Sequence, residues 1–106
     1  MNIMNLTPHD LNVVDAHGDV KVIVKGGQVA RVATTRSEAA DVAGFPTSVT
    51  TFGEIEGLPA PQPDTIYIVS GMVAARCGDR DDVLAPGELV RDATGAVIGC
   101  RGFSRG

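Results

Sequence analysis

Over much of the chain apolar and polar positions alternate with a period near two, the signature of strands that cover one face. Val20, Val22 and Val24 alternate with Asp19, Lys21 and Lys25, which predicts a half-buried strand. The opening segment to Leu6 predicts a shorter strand, ended by Thr7, Pro8, His9 and Asp10 because Pro8 has no ladder donor. Leu11, Val13 and Val14 begin another strand, and residues 15–19 read as a hairpin loop with Gly18 left-handed. Gly26 and Gly27 mark a turn before a strand at Val29–Val32.

Residues 34–44 fit no single pattern. Ser37 followed by Glu38, Ala39 and Ala40 caps one helical turn that Gly44 stops, or the segment is a mobile loop. Thr47–Phe52 is again strand-like. The stretch 57–64 carries three prolines and predicts an extended connection. Thr65–Val69 is the most apolar strand and the expected sheet centre. Ser70 is placed to cap a short helix to Arg76, Asp79–Asp82 reads as an exposed charged turn, and Pro86 with Gly87 as another turn. Glu88–Arg91 and Val97–Arg101 then form a hairpin around 92–95, whose Asp-Ala-x-Gly form repeats that of 15–18. Hairpin-loop chemistry explains this repeat better than duplication. The expected fold is a single domain over 1–106, mainly β, a small sheet or barrel-like domain with one or two short helices, and α+β as the alternative.

Composition sharpens this picture. Aromatics are only Phe45, Phe52, Phe103 and Tyr67, so the core must be aliphatic, and branched side chains favour strands. The formal net charge of −4 argues against general nucleic-acid binding, and Arg101 with Arg105 make a weak basic patch. The first ten residues lack a basic region followed by an apolar run, and 65–75 is too short to span a bilayer. A cytoplasmic setting without membrane association is expected, with Cys77 and Cys100 reduced and structural. A core this small makes a homo-oligomer natural.

Candidate chemistry is sparse. His9, two residues after Thr7 and beside Asp10, suits proton transfer, although Thr7 and Asp10 equally suit a backbone-bonded turn. The step from a buried strand to a helix at Ser70 gathers free N–H groups. Arg76, Arg80 and Arg91 can grip an anion there, and Asp82 completes the set, unless Asp79, Asp81 and Asp82 simply pair with the arginines. Ser70 lies outside a nucleophile elbow. The cysteines and histidines have no zinc spacing, and the aspartates no calcium-loop order. No catalytic residue, metal or cofactor is therefore assigned.

Asn5–His9, Thr51–Pro59, Ile66–Ser70, Arg80–Val83, Pro86–Asp92 and Ile98–Cys100 together resemble an uncharacterised family of small bacteriophage and prophage proteins. The resemblance spares residues 15–46. It implies a bacterial host cell and carries over no residue role. The leading expectation is a binding protein that sequesters a nucleotide-like or other anionic small molecule through Thr7, His9, Ser70, Arg76, Arg80, Asp82 and Arg91. The alternative is a protein–protein interaction module that inhibits or adapts a host or phage factor, with an apolar patch around Phe45 and Leu58. A small hydrolase using His9 comes third.

Overall fold

The computed structural model describes residues 1–105. Its strands are β1 (Asn2–Asn5), β2 (Leu11–Val14), β3 (Val20–Ile23), β4 (Arg31–Val42), β5 (Phe45–Glu56), β6 (Thr65–Ile68), β7 (Val83–Arg91) and β8 (Val97–Ser104). One helix, α1 (Gly71–Ala75), follows β6. The mainly β expectation holds, with one short helix.

Six strands form a sheet in the order β1-β6-β7-β8-β2-β3, and β4 pairs with β5 alone. The six-stranded sheet curls nearly into a barrel. Asn5 bridges to Lys25 just beyond β3, the Gly26 N–H donates to the Asn5 carbonyl at 3.0 Å, and the Ala30 N–H to that of Leu6 at 3.0 Å. β6 lies between β1 and β7, parallel to both, which explains its uninterrupted apolar run. Tyr67, Ile68 and Val69 are fully buried. Tyr67, Val69, Val83 and Ala85 meet Leu6, Ala30 and the α1 residues Val73 and Ala74 in the core, with Cys77 sealing its edge.

Both Asp-Ala-x-Gly loops fold in the same way. Asp15 Oδ1 accepts from the backbone N–H groups of His17 and Asp19, and Asp92 Oδ1 from those of Thr94 and Ala96. Gly18 and Gly95 both have φ of +87°. The shared form is thus the chemistry of an Asx-braced hairpin loop.

Three sequence expectations are corrected. Residues 34–44 form neither a helical turn nor a loop. They belong to β4 and to its turn, where Ala43 and Gly44 both take positive φ in the two-residue hairpin form. The strand expected at Val29–Val32 therefore begins at Arg31 and runs on to Val42. Pro86 and Gly87 are not a turn but lie inside β7, where Pro86 faces Phe103. A β-carbon at Gly87 would collide with the backbone carbonyls of Arg101 and Gly102, so only glycine lets β8 approach.

The β4–β5 ribbon gives the molecule its shape. Only its base joins the core, through Val32 and Ile55, while most residues from Thr34 to Pro46 are exposed. The molecule measures 53 × 40 × 24 Å, with a radius of gyration of 16.8 Å. A compact chain of this length has about 13 Å.

Candidate functional site

The sequence-derived site residues do not converge on one pocket. Thr7 is buried in a clasp built by Asn5. The Asn5 amide donates to the carbonyls of His9 (2.8 Å) and Ile23 (3.0 Å), and its oxygen accepts from the Thr7 N–H and hydroxyl at 3.0 and 2.6 Å. All four bonds are internal. They tie β1 to β3 and fix the turn through its backbone, which leaves the His9 side chain exposed. Asp10 likewise accepts from the Lys25 N–H at 2.8 Å.

Arg80 and Asp82 form the second clasp. The guanidinium meets both carboxylate oxygens at 3.0 and 2.7 Å and donates to the Pro59 carbonyl at 3.1 Å. It also lies 5.8 Å from the Tyr67 ring centroid, and the Tyr67 hydroxyl donates to the Ala60 carbonyl at 3.1 Å. This cluster staples the proline-rich connection onto β6. Hydrogen bonding to Arg80 pulls the Asp82 carboxyl below its ordinary range, and the same bond raises the Arg80 guanidinium. The aspartate expected in an exposed turn is thus half-buried and paired.

Ser70 is exposed and caps α1, accepting from the Val73 N–H at 3.4 Å. With five residues, α1 offers no developed positive end to an anion. Arg76, at the other end of α1, stacks on Phe52 of β5 at 4.4 Å and steadies the ribbon's base. Arg91 donates to the Gly95 carbonyl at 2.9 Å in its own hairpin. Arg76, Arg80 and Arg91 therefore take three separate partners. Cys77 and Cys100 are free and buried; burial pushes the Cys77 thiol up, and Cys100 Sγ faces the Gly102 carbonyl at 3.6 Å.

Two surface features remain. A groove of about 440 Å³ runs between His9, Asp10 and Leu11 on one side and Pro86, Leu89 and Ile98 on the other. It is mainly apolar, and of the expected residues it includes only His9. Along the ribbon lies a second hollow of about 630 Å³ lined by Arg36, Glu38, Asp41 and Pro46. Phe45 at the tip is 70% exposed, and Val42, Val49 and Phe52 are also exposed. The patch expected around Phe45 and Leu58 is split, because Leu58 packs against the core. Residues 34–42 read in the sequence as a helical turn or a loop, and their strand signal was the β-branched pair Thr34 and Thr35 ahead of Arg36 and Glu38.

Among the described residues no group of three or more His, Cys, Asp or Glu side chains is arranged to hold a metal, and no helix is long and apolar enough to cross a membrane. No family model matches the chain, and neither the curated proteins nor the solved structures compared with it give a match.

Proposed function

We propose that this chain is a non-enzymatic protein–protein interaction module, with the β4–β5 ribbon as its docking arm. The observation that carries the reading is the ribbon itself: twelve residues per strand, both faces mostly in solvent, Phe45 bare at the tip. Two strands without a covered face are marginal in water, so such an arm gains order when a partner covers it. The resemblance to phage and prophage proteins supports a host or phage factor as that partner. Engagement of Thr7, Arg80, Asp82 and Arg91 in internal bonds weighs against an anion site among them.

The test replaces Phe45 or Val49 with a photoreactive phenylalanine in the full chain expressed in bacteria, with Lys21 on β3 as the control position. Protein adducts at 45 and 49 but not at 21 are expected. Absence of adducts at both arm positions overturns the reading.

The groove beside His9 favours a second reading, capture of a small molecule. Apolar walls and Asp10 at the rim suit a neutral or cationic amphiphile better than a nucleotide. A stabilising thermal shift that disappears in Leu89→Asp would support it; no shift across a panel of such ligands would remove it.

A further inference from the structure

We infer that the docking arm takes a second copy of this chain, pairing β4 with β4 in antiparallel fashion about a two-fold axis at Ser37. The inference rests on the reading of the ribbon as a docking arm and names its occupant.

The two outer edges of the ribbon differ. β5 is interrupted by Pro46, which has no N–H to offer, and by Gly53. β4 has no proline, no lysine and no glycine over Arg31–Val42, and it pairs with β5 on one side only. Natural edge strands are protected by prolines, charged side chains, bulges or cover; between its register shifts β4 has charges but neither proline nor bulge, and such a regular edge is a template for a strand that matches those charges. The regular part of β4 lies between its two register shifts, from Thr34 to Ala39.

Charge then selects the partner and the register. In this stretch the charged residues are Arg36 and Glu38, one on either side of Ser37. When two copies pair antiparallel with Ser37 opposite Ser37 of the second copy, Arg36 faces Glu38 of the second copy and Glu38 faces its Arg36. Thr35 then faces Ala39. Registers centred one residue to either side are unfavourable. Centring on Arg36 opposes two arginines, and centring on Glu38 opposes two glutamates, each directly across the ladder. The strand is therefore self-complementary in one register.

Pairing also removes the ribbon's weakness. Two strands become four in the order β5-β4-β4-β5, and the unpaired N–H and C=O groups along the β4 edge gain partners. Arg36 remains available, because only its Nε is engaged, with Ser48 Oγ at 2.9 Å. One face of the new sheet carries Thr35, Ser37, Ala39, Thr47, Val49 and Thr51 from each copy and no charge.

The test uses the full chain in sedimentation equilibrium. Wild type is expected at twice the chain mass. Arg36→Glu and Glu38→Arg should each weaken the dimer by at least about tenfold, and the double charge swap should restore it. Ser37→Cys should give a disulfide-linked dimer under mild oxidation, since directly opposed strand residues lie within disulfide reach, whereas Thr50→Cys on β5 should not. A wild-type monomer at high micromolar concentration overturns the inference, as does a double swap that stays dissociated. If that occurs while photo-adducts at Phe45 with another protein persist, the docking arm stands and only its occupant is wrong. If adducts are also lost, both fall.

Discussion

Arg80 and Asp82 lock together across a single intervening residue, with the guanidinium bridging both carboxylate oxygens at 3.0 and 2.7 Å while its third contact holds the Pro59 carbonyl. Both side chains are about four-fifths covered. Because the folded-state pKa of Asp82 lies below its ordinary value, the pair stabilises the fold above about pH 4, and this contribution disappears as pH falls through the depressed value. The half-buried carboxyl of Asp15 and the exposed one of Asp92 are shifted down as well, the first chiefly by the Asp19 N–H and the second chiefly by the Thr94 hydroxyl. Stability should therefore drop as pH falls below about 4. Asp82→Asn should cost about 1–2 kcal/mol at pH 7 and flatten part of that acid limb. Urea titrations at pH 7 and pH 3 check this, and an Asp82→Asn protein with the wild-type acid limb would refute it.

Asn5 should be the most sensitive polar position in the fold. Asn5→Ala leaves the His9 and Ile23 carbonyls and the Thr7 donors without partners, a loss on the order of 3 kcal/mol. Asn5→Asp is more diagnostic. A carboxylate keeps the Thr7 bonds but faces two carbonyls it cannot donate to, so the variant should be at least as unstable at pH 7 and recover partly near pH 4, where the acid gains a proton to donate. Indifference of Asn5→Asp to pH over this interval would show that the amide donors are dispensable.

The two clasps were only partly legible in the sequence. β1, β2, β3 and β8 follow from apolar alternation and turn residues, β6 from its continuous apolar run, the middle of β5 from the strand-like Thr47–Phe52, and Ser70 from cap chemistry. Thr7 was legible as a backbone-bonded turn residue, whereas Asp10 accepts from the Lys25 N–H, fifteen residues away, rather than from its own turn. The partner of Arg80 that matters most for the connection, the Pro59 carbonyl, lies twenty-one residues away and leaves no local signal. β4 stayed hidden because neither face is covered, so nothing selects alternation, and Ser37, Glu38, Ala39 and Ala40 mimic a helix start. The start of β7 was obscured for another reason. Pro86 and Gly87 carry turn propensity, yet here the glycine serves the close approach of β8.

Cys77 and Cys100 should behave as inert core residues. Both are at most one-twentieth exposed, and desolvation raises the Cys77 thiol despite the opposing charge of Arg80. Neither should react with a thiol reagent at pH 8 on the timescale of minutes, and both should react in urea. Rapid modification of Cys77 in the native protein would mean that α1 opens readily from the sheet.

Ala43 sits at the first central position of the β4–β5 turn with φ of +53°, followed by Gly44 at +80°. Two-residue hairpin turns of this hand favour Asn-Gly, because an alanine β-carbon resists positive φ by about 1 kcal/mol. Ala43→Asn should therefore stabilise the ribbon by about 0.5–1 kcal/mol, and Ala43→Val should weaken it, since branching at Cβ aggravates the same conflict. The ribbon meets the core only at its base, so most of the change should be local rather than a shift in global unfolding. Hydrogen exchange separates the two. Amides of residues 35–50 should exchange more slowly in Ala43→Asn, and those of β6 and β7 should match wild type. Equal slowing throughout would mean that the arm and the barrel-like sheet open as one unit.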